Sequence, residues 1–367
     1  MADGRILVDR DLCALLGSAL GLAPGAPPFT AEQVQPASID LRLGATAHRV
    51  RAGFLPELVP VEDRLAELST SQLSLAGDGA VLERGLVYLV PLEERLALPP
   101  ELHGRFNPRS SAGRCDVFTR VLVPGHPRFD EAPRGYAGPL WIEVAPLSFA
   151  VRLRRGDRLC QLRLQQGSAA LSTAELRARY AATPLCFDGS APLAEDDVRF
   201  DDDGALLLRI GLHGRDPCGW RAAPHADVVD FAAQGVHERL DYWEPVHARD
   251  GHCILDPGRF TLFASRERIR VPPDLAAEML PIDVGIGELR NNYAGFIDSG
   301  FGWDEERPGG TPAVLEVRAH DVPFLVEDGQ VFFRLRFFRT RGRPDRLYGE
   351  GRPSYRGQDL TLARPFR

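Results

Sequence analysis

One offset constrains this chain more than any other feature. Adding 173 to a residue number takes Gly85 to Gly258, Glu94-Arg95 to Glu267-Arg268, Pro99-Pro100-Glu101-Leu102 to Pro272-Pro273-Asp274-Leu275, Glu143 to Glu316 and Gly156 to Gly329. Upstream the offset falls to 167, where Leu41-Arg42-Leu43-Gly44 meets Leu208-Arg209-Ile210-Gly211. Internal repetition of this kind predicts two copies of one structural plan, and 367 residues accommodate two domains of ordinary size. The predicted units are 1–185 and 192–367. The stretch Pro192 to Asp203, with Glu195, Asp196, Asp197, Asp201, Asp202 and Asp203, reads as a solvated acidic linker.

Each copy reads as β-rich. Short apolar runs at 86–90, 139–144, 149–153 and 159–164 stand between Gly and Pro punctuation, with partners at 260–263, 313–317, 323–326 and 331–335. Many short strands at this spacing predict an all-β sandwich or barrel in each unit. Helix signals are few: Asp9 to Leu20, and Thr173 to Tyr180 with Thr173 as its cap.

Composition narrows the function. With 44% apolar and 26% charged residues the chain is neither disordered nor fibrous. No run approaches the roughly 18 apolar residues of a membrane span, and Asp3, Arg5, Asp9, Arg10 and Asp11 stand where a signal peptide needs an apolar core, so a cytoplasmic protein without membrane partners is expected. Cys13, Cys115, Cys160, Cys186, Cys218 and Cys253 form no C-x-x-C pair and are read as reduced thiols. A net charge of −7 argues against a nucleic-acid polymer as partner. All 44 basic residues are Arg, whose planar donor set suits phosphate, although compositional bias explains the missing Lys equally well.

Neither H-E-x-x-H, the zinc-deaminase signature, a Walker loop nor G-x-S-x-G occurs, and His126 reads as a solvated loop side chain. The informative segment is Arg105-Phe-Asn-Pro-Arg-Ser-Ser-Ala-Gly-Arg114. Its hydroxyls and guanidinium groups can donate many hydrogen bonds to one polyanion, or they can decorate a Ser-Gly surface turn. Further on, Glu143 stands among Leu140, Trp141, Ile142 and Val144. Burial there would raise its pKa toward the range of a general base; an outward-facing strand residue is the alternative.

These residues resemble the dCTP deaminase and dUTPase superfamily. Gln35-Pro-Ala-Ser-Ile-Asp-Leu-Arg-Leu-Gly44 is similar to its N-terminal signature, and Leu98-Pro-Pro-Glu-Leu102 to the strand that enters the next motif. Arg109-Ser-Ser-Ala-Gly-Arg114 is similar to its R-S-S-x-x-R loop, and Phe129-Asp130 with Pro133-Arg-Gly-Tyr-Ala-Gly138 resembles its I-D-P-G-[WF]-x-G hairpin. Trp141-Ile-Glu143 resembles the strand of the catalytic Glu, Gly156-Asp-Arg-Leu-Cys-Gln-Leu162 the turn and strand that follow, and Tyr348-Gly349 with Ser354-Tyr-Arg-Gly-Gln358 the closing tail.

The resemblance implies a tandem pair of dUTPase-like distorted β-barrel or jelly-roll domains, a homotrimer, and nucleotide sites at subunit interfaces. It implies dCTP as substrate and dUTP as product, with Mg²⁺ carried by the triphosphate and no zinc. Arg109, Ser110 and Ser111 would hold phosphates, Asp130 the deoxyribose 3′-hydroxyl, and Glu143 would be the base, with Arg114 and Ser110 beside it. Tyr136, Trp141, Ile142, Gln161, Tyr348, Tyr355 and Gln358 would complete the substrate site. Two departures stand out: the hairpin around Asp130 is lengthened by Pro124-Gly-His-Pro127 and Glu131-Ala132, and repeat 2 has Pro281-Ile-Asp-Val-Gly-Ile-Gly-Glu288 where the phosphate loop should be, although it keeps Gly295-Phe-Ile-Asp-Ser-Gly-Phe-Gly302 and Glu316. The expectation is therefore one working site in repeat 1 and a structural or site-completing repeat 2. A dUTP pyrophosphatase or bifunctional enzyme, and a non-catalytic nucleotide-binding module, are the alternatives. The Gly- and Pro-containing tail reads as a mobile lid reaching over a repeat 1 site, or as an exposed terminus.

Overall fold

The computed structural model describes residues 4–281, 289–291, 295–305, 309–350, 355 and 359–367. It is mainly β, as the short apolar runs require. In the first half the strand Cys160–Gln166 lies between Arg5–Ile6 and Leu102–Pro108 and also carries Ile39–Leu41; a second sheet runs Ser69–Ser74, Thr46–Val50, Val87–Ala97, Ala137–Pro146 and Val117–Leu122. The second half repeats the plan with Ala205–Arg209, Val331–Arg339 and Leu275–Leu280 in one sheet and Phe260–Ile269 against Thr311–Ala319 in the other.

The duplication persists in register and in side-chain chemistry. Glu143 lies opposite Leu89 and Glu316 opposite Leu262, the same cross-strand pair displaced by one repeat. Buried Glu94 accepts the Arg42 amide at 2.8 Å and the Arg42 Nε at 2.7 Å; Glu267 accepts the Arg209 amide at 2.8 Å and Nε at 2.5 Å. A buried carboxylate is tolerable only with such compensation, so the Arg-Glu clamp is part of how each copy closes.

The halves are not separated where the sequence places the boundary. Leu171, Leu176, Tyr180 and Leu185 pack into the second core, so 171–185 belongs to repeat 2. The acidic stretch is no linker: Arg199–Phe200 pairs with Ala205–Arg209, Arg334 binds Asp201 at 2.6 Å and Asp203 at 2.8 Å, and Arg177 binds Glu195 at 2.8 Å. Asp196, Asp197, Asp202 and Asp203 are exposed, as the charge density implies, while Glu195, Asp201 and Asp203 also meet arginines from neighbouring elements. The repeats also interlock, because Val229–Asp230 adds in parallel to Val151–Leu153 and Trp220, Tyr242, Trp243 and Phe366 enter the first core.

The first expected helix stops early, at Leu15, because the chain turns at Gly17 (φ 80°) into the strand Leu20–Leu22. The second runs Thr173–Ala182, with Ser172 rather than Thr173 as cap and Glu175 completing a capping box. Val61–Leu68, an amphipathic helix that buries Val61 and Leu65, was not signalled by a cap residue. Among the described residues no helix is long and apolar enough to cross a membrane. The six cysteines are free, and all but Cys13 are buried.

Candidate active site

The strand Leu102–Pro108 delivers Arg109 in extended backbone, after which Ser110–Arg114 makes one helical turn closed by the Ala112 and Gly113 amides on the Arg109 carbonyl, at 2.9 and 3.1 Å. The Arg109 amide donates to the Leu159 carbonyl at 2.8 Å, which fixes the start of the turn on the neighbouring strand. Fully buried Asp40 forms ion pairs with the Arg109 Nε at 3.2 Å and with Arg158 at 3.7 Å. One carboxylate thus orients two guanidinium groups toward the same space.

Repeat 2 supplies the opposite wall. Phe296–Ile297 leads into Asp298, whose carboxylate receives the Ala37 amide at 2.8 Å and lies 3.2 Å from the Ser38 hydroxyl. Burial pushes the Asp298 pKa up to about 7. From Thr311–Ala319 comes Glu316, buried against Gly113 and Arg114 of repeat 1; desolvation raises its pKa to about 8, with the Arg114 charge opposing the shift. A cavity of about 260 Å³ is walled by Arg109, Ser110, Ser111, Gln161, Asp298 and Tyr348. A smaller one of about 40 Å³ shares Arg109 and Ser110 with it and is closed by Arg114, Ile297 and Glu316.

The tail completes the enclosure within the same chain. Tyr348 donates its amide to the Ser299 carbonyl at 2.9 Å, and its hydroxyl accepts the Tyr355 amide at 3.3 Å. The Tyr355 ring lies 3.8 Å from the Arg114 guanidinium, which also donates to the Thr361 carbonyl at 2.7 Å. Gln161, held 3.0 Å from the Ser38 hydroxyl, donates to the Phe296 carbonyl at 3.3 Å and so links the two repeats.

Arg109, Ser110, Ser111, Arg114, Gln161, Tyr348 and Tyr355 therefore come together as the sequence predicts, while Gln358 lies outside the described residues. Glu143, the expected base, does not join them. It accepts the Arg120 Nη2 at 2.6 Å and Nε at 3.0 Å, and Gly53 closes over it with no room for a Cβ. Asp130 sits with this pair and accepts the Val121 amide at 2.7 Å. Trp141 packs with Val61 and Leu65 of the covering helix, Ile142 is buried in the first core, and the Tyr136 hydroxyl donates to the Pro139 carbonyl at 2.6 Å. Glu143 is thus paired with Arg120 and covered by Gly53, while burial raises the Asp130 pKa to about 7.

Asp298 and Glu316 line the cavities instead, with Asp40 and Arg158, none of which the sequence reading singles out as a site residue. The signal was complementary loss: repeat 1 keeps the R-S-S-x-x-R turn but a distorted hairpin, whereas repeat 2 keeps Phe296-Ile-Asp298 and Glu316 without the turn.

The comparisons with known proteins identify the family. The family model of the C-terminal domain of 2′-deoxycytidine 5′-triphosphate deaminase matches residues 172–366, and that of the N-terminal domain matches 6–168. The chain belongs to the dCTP deaminase family. It is 42% identical to the crystal structure of 2′-deoxycytidine 5′-triphosphate deaminase from Agrobacterium tumefaciens, with a TM-score of 0.83, covering 92% of this chain and 99% of that one. It is 32% identical over 133 residues to the dCTP deaminase of Halorubrum lacusprofundi, an alignment that spans 36% of this chain and 63% of that protein. To the dUMP-forming dCTP deaminase of Coprothermobacter proteolyticus it is 29% identical over 136 residues, or 37% of this chain and 69% of that protein. The dCTP deaminase family models meet at residues 168–172, where the packing of Leu171 also places the boundary.

Proposed function

We propose that the chain hydrolyses dCTP to dUTP and ammonia at one site shared by its two repeats. The observation that carries this reading is Glu316 of repeat 2 seated against Gly113 and Arg114 of repeat 1, next to the Arg109–Ser111 turn. In this reading Arg109, Ser110 and Ser111 hold phosphates, and Mg²⁺ enters with the triphosphate and offsets its charge. Asp298 accepts the deoxyribose 3′-hydroxyl. Glu316 removes a proton from water, whose oxygen bonds to cytosine C4; the proton passes to the ring nitrogen, and a second transfer to the exocyclic amine breaks the C–N bond and releases ammonia. Arg114 orients the water and stabilises the charge that develops, and a raised carboxylate pKa lets one group both take and return a proton. The described residues of one chain supply every group named, so the reading needs no second copy at this site.

Incubation with dCTP and Mg²⁺, followed by chromatographic separation of dCTP, dUTP, dUMP and pyrophosphate, tests it. Accumulating dUTP supports the proposal. Direct appearance of dUMP and pyrophosphate would place the chain with the dUMP-forming relatives, and binding without turnover would make it a regulatory module. Chelation should reduce activity, and Mg²⁺ without zinc should restore it; a strict zinc requirement would overturn the carboxylate mechanism.

A further inference from the structure

The last nine residues do not end at the site but pass beyond it into the first core. Leu362, Ala363 and Phe366 are buried, and the Phe366 ring lies 5.3 Å from Tyr242 and 5.6 Å from Trp243. The Arg364 carbonyl accepts the Gly235 amide at 2.8 Å, and the Pro365 carbonyl accepts the Val236 and His237 amides at 3.0 and 2.9 Å. These contacts fix the backbone of Arg364 on both sides.

From that anchored position Arg364 lines the 260 Å³ cavity together with Arg109 and Arg158. Its guanidinium stands 5.9 Å from the Tyr355 ring, which carries Arg114 at 3.8 Å. Burial lowers the Arg158 pKa against the opposing charge of Asp40, and the positive fields of Arg109 and Arg364 add to the shift. Asp40 faces Arg109 and Arg158. Convergent guanidinium groups on a partly buried wall are matched by a chain of phosphate oxygens, which accepts several planar donor sets at once.

We propose that Arg364 is a polyphosphate-reading residue of this site, placed by the docked C-terminal segment so that the enzyme distinguishes a triphosphate from a monophosphate. This rests on the dCTP reading for the identity of the nucleotide, but not for the anion. The R-S-S-x-x-R turn gives no hint of it, because 250 positions separate Arg364 from Arg114.

The test measures affinities of the wild type, Arg364→Ala and Arg364→Gln for dCTP, dCMP and inorganic tripolyphosphate by calorimetry, beside steady-state kinetics with dCTP. Both variants should bind dCTP and tripolyphosphate about ten- to a hundredfold more weakly, raise KM in proportion and leave kcat within about threefold. Affinity for dCMP and the ligand-free melting temperature should be unchanged. Arg364→Gln keeps most of the stem, so a packing loss in Arg364→Ala does not decide the outcome. Wild-type affinity for dCTP and tripolyphosphate in a folded Arg364→Gln overturns the proposal, as does equal weakening of dCMP. If the wild type binds tripolyphosphate in an Arg364-dependent way but neither binds nor turns over dCTP, the nucleotide reading fails and the anion site stands.

Discussion

Glu316 belongs to the second repeat, yet its carboxylate closes on Gly113 of the first so tightly that a Cβ at position 113 would lie 2.5 Å from both of its oxygens. The two repeats therefore share one constellation. Repeat 1 brings the Arg109–Arg114 turn and repeat 2 brings Asp298 and Glu316, and the interlocked core holds them in one geometry.

Gly113→Ala should consequently act as an active-site lesion rather than a folding lesion. Gly113 lies in a short helical turn that accepts Ala, so the backbone tolerates the change. The displaced group is the Glu316 carboxylate, and mispositioning a reacting group by about 1 Å costs on the order of 10²-fold in rate. Kinetics and thermal melting read together check this: kcat for dCTP should collapse while the melting temperature moves little. Near-normal turnover would mean that Glu316 does not work where it stands.

The two repeat-related glutamates should separate cleanly. Removing a general base typically costs about 10²- to 10⁴-fold, so Glu316→Gln should lose turnover while still binding nucleotide. Glu143→Gln should keep turnover and lose stability instead, since it leaves the Arg120 guanidinium, held over the Phe129 ring at 3.9 Å, without its carboxylate. The reverse pattern in the same two assays would restore Glu143 as the base.

The strands, the duplication and the anion turn were legible because each is a local pattern: apolar runs of period and length suited to strands, one recurring offset, and donors packed within six residues. The choice of Glu143 over Glu316 was not local. Both lie in apolar strands at equivalent positions, and what separates them is a contact partner far away in sequence, Arg120 with Gly53 for one and Gly113 with Arg114 for the other. Asp40 lies within the Gln35–Gly44 motif, but its role as the carboxylate that aims Arg109 and Arg158 depends on a strand pairing, Asp40 opposite Gln161, that only the fold displays.

Titration gives a third test with a definite sign. Burial raises Asp298 to about 7 and Glu316 to about 8, and Glu316 must be ionised to take a proton from water. The kcat/KM profile for dCTP should therefore climb with pH through that window, and a flat profile would remove Glu316 as the titrating base. Stability should run the other way. Carboxyls whose folded pKa exceeds the unfolded value stabilise the protein at low pH, and that contribution is lost as pH rises through 7 and 8. The ligand-free melting temperature should fall from about pH 4, where these carboxyls ionise in the unfolded chain, up to about pH 8 and then level off, and the fall should be less steep in Glu316→Gln.

The C-terminal segment should divide into a part that serves catalysis and a part that serves the fold. Tyr355 touches the buried Arg114 through its ring, so Tyr355→Ala should loosen Arg114 and slow turnover by roughly tenfold, with a smaller loss of melting temperature than Phe366→Ala. Phe366 instead fills the aromatic cluster of Phe149, Tyr242 and Trp243, and Phe366→Ala should cost about 3 to 5 kcal/mol, the usual range for emptying a buried Phe site. Truncation after Leu347 removes both functions. It deletes Leu362, Ala363 and Phe366 from the first core, so the shortened chain should melt earlier even without nucleotide, unlike a chain that loses a free lid. Calorimetry of the three variants beside their dCTP kinetics checks the division. A truncated protein that melts with the wild type would mean that the end of the chain is not docked in the core, and a fully active Tyr355→Ala would mean that the ring on Arg114 plays no part in catalysis.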